Sequence, residues 1–429
     1  MHVLLINPLF TYVGRDKFPL GLGYVATIAL KEGHHMVVVD ENLGETIPWE
    51  QLGQFKLIGL SVTTPALPRA RSLITQLRIK KSTEALIVAG GHHPTFRPKE
   101  LLQIGVDVVV RGEGEVPFAQ ILRISNPLST AHKWKNILGI SYYDDSGNVQ
   151  HNTQLGLTED LDHIPFPAWD VFRYKNYSPM SVITSRGCPY RCNYCAATAF
   201  WQHYVRYRSI ANVVAELDAL LALHTYHFIK FQDSVFTSPR KRVLDLMAAI
   251  IEKNYPFQWT CETRADALDH ELIDMMARAK CKTIMLGLES GSQGVLDQNE
   301  RKMKVSDFVD TCQNIKQRGL GIRVSVVFGL PGETPATVED TLTILRSIQP
   351  NVTFLNLATA YPGCALEHHP VASHKEQWVT TFGGHGVGGQ LILPVGMTPK
   401  QYHKLADYLY GQIHELNKVN WVKENQDLL

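Results

Sequence analysis

Three of the seven cysteines fall within one short string, RGCPYRCNYC, as Cys188, Cys192 and Cys195 in a C-x3-C-x2-C spacing. Thiolates this close face one centre only when the chain loops around it, and three ligands instead of four leave a coordination position open for chemistry. A structural zinc site is the alternative. It needs a fourth Cys or His, and the nearest, His203, has no matching spacing. Cys281, Cys312 and Cys364 are scattered and read as small apolar fillers. Cys261 reads the same way, with a second reading as a residue facing the site. An odd cysteine count in a chain of 429 residues is no disulfide scaffold.

The elements that must position these thiols follow from the apolar pattern. HVLLI (2–6), HMVVV (35–39), KLIGLSV (56–62), ALIVA (85–89) and DVVV (107–110) read as strands covered on both faces. Helical stretches near 20–32, 69–80, 98–105 and 115–123 alternate with them. The expected fold is therefore α/β, a doubly wound Rossmann-like sheet with its ligand beyond the carboxyl ends of the strands. GLG (21–23), AGGHHPT (89–95) and RGEGE (111–115) are expected at those ends. ISYY and VQHN flank a DDSGN turn as a hairpin, and HIPFPAWDVF (163–172) reads as a linker. From 181 the alternation resumes with strands SVITS, HFIKF, FQWTCE, TIMLGL, IRVSVVF and VTFLNLA, which fit a partial or full β/α barrel. GGHGVGG (383–389) reads as a flexible loop, and 397–418 as a terminal helix opened by Thr398–Pro399. The expected domains are 1–135, a hairpin and linker over 136–175, a barrel over 176–364, and a C-terminal segment over 365–429 that closes over the substrate.

Length predicts two or three domains. The formal net charge of +1 gives no electrostatic reason to expect nucleic acid. No apolar run approaches the ~20 residues of a membrane helix. The opening MHVLLINPLF lacks the basic flank of a signal peptide, so a cytoplasmic setting is expected.

The cysteine string, with Tyr194 just before its last Cys, resembles the radical S-adenosylmethionine (SAM) superfamily. VRYRS (205–209), FQDSVF (231–236), CETRAD (261–266), LGLESGS (286–292), VVFGLPGET (326–334) and AYPGC (360–364) extend the resemblance in order along the barrel. The resemblance implies that Cys188, Cys192 and Cys195 hold a [4Fe–4S] cluster whose fourth iron binds SAM. Arg264 then suits the SAM carboxylate, and Asp233, Ser234, Glu289 and Ser290 its ammonium or ribose. Gly329 and Gly332 would admit the adenosine, and Tyr194 would contact the adenine. The alternative is that Arg264–Asp266 and Glu289 form structural ion pairs.

Residues 1–125 resemble the cobalamin-binding domain of the cobalamin-dependent radical SAM group, through PLGLGYVATIALKEGHHMVVVD, GLSVTT, VAGGHHPT and VVRGEGE. Gly21, Gly90, Gly91, Gly112 and Gly114 are the expected places where a corrin lies against backbone, with Thr63, Thr64 and Thr95 offering hydroxyls to its amides. The alternative is a domain of the same shape that binds nothing, or another nucleotide. The cobalt-ligating string D-x-H-x-x-G is absent. His92 and His93 are therefore expected at the corrin edge and not on cobalt. Arg69 is expected beneath the corrin, where it has no lone pair to give cobalt; alternatively it caps its helix or contacts a corrin amide.

The resemblance implies a cobalamin-dependent radical SAM methyltransferase. SAM is reductively cleaved to a 5′-deoxyadenosyl radical, and methylcobalamin delivers a methyl group to a small-molecule or peptide substrate. A flavodoxin or ferredoxin would supply electrons, with neither nucleic acid nor membrane as partner. The alternatives are a cyclase or rearrangement enzyme without methyl transfer, and a non-catalytic cofactor-binding module. Methylthiotransferases carry cluster cysteines before the barrel; here none precedes Cys188.

Overall fold

Runs of Val, Ile and Leu in the N-terminal part become strands sandwiched between helices. The computed structural model describes residues 1–10, 17–80, 85–124, 131–369, 371–373 and 391–424, and it divides into two compact units, Met1–Met180 and Ser181–Leu429. In the first unit, strands β1 (His2–Asn7), β2 (His35–Asp40), β3 (Phe55–Ser61), β4 (Leu86–Gly90) and β5 (Val108–Val110) are parallel, ordered β2-β1-β3-β4-β5. Helices α1 (Leu20–Lys31), α2 (Leu67–Ile79), α3 (His92–Phe96), α4 (Pro98–Gln103) and α5 (Glu115–Leu122) connect or cover them. Leu73, Ile74 and Leu77 of α2 and Leu101 and Leu102 of α4 are buried with Leu4, Ile6, Ile58, Leu60 and Ile87 of the sheet. The order reverses between β1 and β3, and that switch point is where a doubly wound sheet opens a crevice for a ligand.

The hairpin belongs to this sheet. β6 (Ile140–Tyr143) pairs antiparallel with β5, and β7 (Val149–His151) with β6. It covers what would otherwise be a bare three-residue edge strand. The Pro-rich stretch after it is also fastened to the first unit. Thr27 Oγ1 donates to the Phe166 carbonyl at 2.7 Å, and the Tyr177 hydroxyl donates to Asp40 at 2.8 Å. Phe18 meets Phe172 and Tyr177 edge-on.

The second unit holds strands β8 (Met180–Val182), β9 (Phe228–Phe231), β10 (Gln258–Thr263), β11 (Cys281–Glu289), β12 (Gly321–Phe328) and β13 (Val352–Leu357), neighbours in sequence order within one sheet. The β9-to-β13 pairs are parallel. Six strands in sequence order that do not close make a partial barrel. Helices α6 (Ala196–Phe200), α7 (Ile210–Leu223), α8 (Arg240–Lys253), α9 (His270–Arg278), α10 (Gln293–Gln298), α11 (Val305–Gln317), α12 (Pro335–Ile348) and α13 (Pro399–Glu424) complete it. β11, β12 and β13 alternate buried with half-buried residues. Ile284, Leu286, Ile322, Val324 and Leu355 lie in the core, and the half-buried positions, Glu289, Arg323, Ser325 and Asn356 among them, line the opposite face.

Thr398 Oγ1 accepts from the Gln401 amide at 3.3 Å and opens α13 as its Thr–Pro start predicts. The helix covers the edge strand β13, where Asn417 exchanges hydrogen bonds with both backbone groups of Thr353. The described part of the C-terminal segment therefore closes the sheet edge. GGHGVGG lies outside the described residues.

Candidate active site

The loop carrying the three cysteines is closed by backbone. Ser185–Arg186 pairs antiparallel with Arg206–Tyr207, so the VRYRS string is the return leg of the loop. At its mouth Gly187 has φ +117°, and a side chain there would run into the Tyr204 carbonyl. Only glycine turns the chain into the loop. The Cys195 amide donates to the Cys192 carbonyl at 3.1 Å, and Cys195 caps α6.

All three cysteines are free thiols, Cys188 and Cys192 buried and Cys195 half-buried. Burial pushes the Cys188 thiol up and takes Cys195 up to about 11, and the three sulfurs act on one another electrostatically. Two guanidinium groups oppose this. Arg264 Nη1 and Arg301 Nη1 each lie 3.9 Å from Cys192 Sγ, and both favour the thiolate of Cys188. Among the described residues no three His, Cys, Asp or Glu side chains converge on a single-ion position. A [4Fe–4S] cubane takes one thiolate at each of three separate irons, and this loop carries three free thiols. His203 Nδ1 is engaged with the Tyr190 carbonyl at 3.3 Å.

Arg264 is buried and largely occupied. It forks onto Asp266 at 2.8 and 2.7 Å, donates to the carbonyls of Arg301 and Lys302, and lies 3.8 Å over the Tyr190 ring. This is the structural ion pair of the alternative reading, with one nitrogen left toward Cys192. Asp233 is likewise a bracket. Buried at the end of β9, it accepts from the Thr184 amide and hydroxyl and from Ser185 Oγ, fixing the chain that enters the loop. Ser234 beside it is exposed. Ser290 is buried, its Oγ accepting from the Ser292 amide at 3.3 Å.

Glu289 holds φ +65° at the end of β11, just past a register shift, a conformation a non-glycine residue adopts at a cost of about 1–3 kcal/mol. Burial raises its carboxyl, against the pull of Arg301 3.8 Å away. Tyr194 packs against the apolar cluster of Val295, Leu330, Ala358, Ala360 and Cys364, and its phenol is a neighbour of Glu289, Arg301 and Cys192.

Arg301 is the residue that sequence reasoning missed. It lies in NERKMK, a charged stretch outside the motifs that carry the resemblance. Positive φ angles at Glu300 and Lys302 make a turn that buries it, with Nη2 donating to the Gly287 carbonyl at 2.6 Å. Its only local signal is a charge next to turn-forming residues.

Gly329 and Gly332 are the glycines expected beside the adenosine. At Gly329 the φ of +92° does require glycine, but the open side faces Tyr402 of α13, whose ring would stand 2.8 Å from a Cβ. Gly332 faces Gln298 in the same way. Both glycines leave room for the protein's own side chains. Cys261 also points away from the site, into the core beside Cys281.

Glu333, in the same string, accepts from the Gly329 amide at 3.2 Å and the Thr337 hydroxyl at 3.0 Å, and burial pushes its carboxyl up to about 7. Its reference value is 4.5, so between 4.5 and 7 the native state holds a proton that the unfolded chain has lost. The expected result is stability that falls as pH rises across that window. Glu333→Gln should remove the slope and gain on the order of 3 kcal/mol at pH 8. Denaturant midpoints at pH 5 and 8 check this; equal slopes in parent and variant would rule Glu333 out as the titrating group.

In the first unit, Thr63 is exposed just past β3, at the switch point. Gly91 has φ +112° and lies against the Val62 carbonyl, and Gly112 has φ +78°. Gly90, at the end of β4, has only Val110 within reach of a Cβ. A side chain at Gly112 would meet Gln154 Nε2 at 2.8 Å, so Gly91 and Gly112 both lie against the protein's own atoms. Thr64 is buried and bonded to His93 Nδ1 at 3.1 Å, with His93 Nε2 3.2 Å from Glu100. His93 thus has both ring nitrogens engaged within the protein. His92 packs against Phe96. Gly21 lies in the first turn of α1 and not at a strand end, and Gly114 precedes α5 with ordinary backbone angles. Arg69 forks onto Glu41, whose carboxylate also accepts from the Leu9 amide. It braces the ends of β1 and β2.

Residues 6–122 match the B12 binding domain family, and residues 182–345 match the radical SAM superfamily. An uncharacterized methyltransferase of Pyrococcus horikoshii is 28% identical over 392 residues, 87% of this chain and 84% of its own. The anaerobic magnesium-protoporphyrin IX monomethyl ester cyclase of Rubrivivax gelatinosus is 26% identical over 383 residues, 84% and 68% of the two chains. Among solved structures, the radical S-adenosylmethionine methyltransferase TsrM of Kitasatospora setae, with tryptophan substrate and a SAM analogue bound, matches with a TM-score of 0.75 at 19% identity, over 96% of this chain and 89% of that one.

Proposed function

We propose that this chain, a member of the cobalamin-dependent radical SAM enzymes, methylates a small molecule in the cytoplasm, with electrons from a flavodoxin or ferredoxin. Its cofactors are a [4Fe–4S] cluster, SAM and cobalamin. The observation that carries the reading is the three-thiol loop with two guanidinium groups at Cys192, in a chain whose preceding unit matches the B12 binding domain. When bound, the cluster supplies the electron that cleaves SAM, and cobalamin carries the methyl group.

On this reading Cys188, Cys192 and Cys195 hold the cluster. Arg264 and Arg301 balance the negative charge of the thiolates, since buried charge is tolerated only when paired. Ser234, just past β9, and Glu289, at the end of β11 with β10 between them, are the groups offered to the SAM ammonium or ribose. Tyr194 packs with Ala360 and Cys364 of the AYPGC turn, an apolar cluster behind the cysteine loop. Thr63, Gly90, Gly91 and Gly112 would support the corrin, and His93, held between Thr64 and Glu100, is committed within the protein. Among the described residues no helix is long and apolar enough to cross a membrane.

The test is anaerobic reconstitution with methyl-labelled SAM and a metabolite extract. The expected result is label in a product, with 5′-deoxyadenosine formed alongside. SAM cleavage with no label in any product would replace methyl transfer by a cyclase-type reaction.

A further inference from the structure

The open face of the barrel sheet carries charges that the cluster loop does not use. Lys230 on β9 is paired with Glu262 on β10. In the sheet register Glu262 stands beside Met285, and Met285 beside Arg323 on β12, so the three form one row across the sheet. Arg323 is half-buried, with its guanidinium carbon 5.3 Å from the Phe354 ring centroid. Among the described residues it makes neither a hydrogen bond nor an ion pair, and its only charged neighbour is Glu262, already held by Lys230. Burial pulls its pKa down. Among the buried arginines of this unit, 208, 264 and 301 are paired with carboxylates, Glu216, Asp266 and Glu289. A half-buried guanidinium, with five donors in a planar fork and no carboxylate, is built for an oxyanion that arrives from outside.

One row toward the strand ends, Ser325 stands beside Phe354, and Asn356 Nδ2 donates to Ser325 Oγ at 2.9 Å. Arg323 lies five residues before the end of β12 at Phe328, about 16 Å down the strand at ~3.3 Å per residue. We propose that the barrel takes an anionic substrate, a carboxylate or a phosphate ester, whose oxyanion docks on Arg323 with Phe354 along its flank, so that the rest of the molecule points toward the cysteine end of the strands. The face between holds Asn356 and Ser325, whose hydroxyl accepts from Asn356 and donates to Glu289 at 3.4 Å. The Lys230–Glu262 pair cancels itself and leaves the single positive charge of Arg323 to select one anionic group.

This inference rests on the methyl-transfer reading in its first arm and is independent of it in the second. Holoenzyme is incubated with methyl-labelled SAM and a small-molecule extract, and the products are passed over an anion exchanger at pH 7, which cationic SAM does not bind. Labelled product is expected on the resin, and labelled product in the flow-through overturns the proposal. Phosphatase treatment of the extract beforehand removes the product if the group is a phosphate monoester and leaves it if it is a carboxylate. Arg323→Gln is expected to raise KM for the retained substrate roughly ten- to a hundredfold, the usual loss for a hydrogen bond to a charged group, with a smaller change in kcat. In the second arm, inorganic phosphate is titrated against thermal unfolding of both proteins. Saturable stabilisation of the parent but not of Arg323→Gln is expected. Equal behaviour of the two proteins overturns the anion site. Label absent from every fraction overturns methyl transfer, and the phosphate titration then decides the anion site by itself.

Discussion

Replacing Cys188, Cys192 and Cys195 together by alanine is expected to abolish the iron–sulfur centre. The reconstituted parent should hold about four irons per chain with broad visible absorbance, and the triple variant neither. Each single variant should lose most of its iron as well, because an open-site cluster has no protein thiolate to spare. Arg264 and Arg301 both lie at Cys192 Sγ but keep Asp266 and Glu289 as carboxylate partners, so the triple variant should lose the cluster without leaving either guanidinium unpaired. Cys312, buried on α11 with the core, serves as the control, and its replacement should leave iron content unchanged. Iron, sulfide and SAM cleavage surviving in the triple variant would remove the cluster assignment.

Arg208→Ala is expected to cost about 3–5 kcal/mol of stability, the loss typical of breaking a buried ion pair from one side. Glu216 is fully buried and its carboxylate is paired with Arg208, which also donates to the Ile183 carbonyl and Asn212. Without the guanidinium, burial keeps the Glu216 pKa raised with nothing to lower it. The native state then holds a proton that the unfolded chain releases, so the damage should ease as pH falls and worsen as it rises. Denaturant unfolding at pH 5 and pH 8 reads this directly. Arg208→Met with Glu216→Leu should recover most of the loss, since removing both charges leaves nothing unpaired. A loss that is the same at both pH values would show that Glu216 is not the stranded group. Because the Ile183 carbonyl leads from β8 into the cysteine loop, iron retention should drop with stability in the single variant and recover in the double.

Much of this architecture was legible along the chain because it depends on neighbours in sequence. Val/Ile/Leu runs bounded by glycine and proline are strands, and those read from 2–6, 35–39 and 322–328 are found within a residue or two. The cysteine spacing works at the same range, since a C-x3-C-x2-C loop needs only its own turn and Gly187 to close it. The doubly wound sheet followed from β/α alternation, and its switch point between β1 and β3 from the strand order that the fold shows.

What the sequence could not assign was the partner of each charge. Arg264 and Arg301 reach Cys192 from 72 and 109 residues away, and Glu289 meets Arg301 across a strand end. Gly329 signals a left-handed turn by its own flexibility, yet that Tyr402 fills the space beside it depends on where the terminal helix docks. The hairpin at 140–151 was recognisable as a hairpin, but only the bare edge of β5 drew it into the first sheet. By itself the sequence determined which backbone conformations and apolar faces were available, because propensity, turn chemistry and periodicity act over a few residues. The tertiary structure alone decided which buried charge neutralises which, because a guanidinium fits any carboxylate and only sheet register and helix docking bring one within reach. That division leaves Cys192 legible from its spacing and Arg323, with no carboxylate of its own, visible only in the fold.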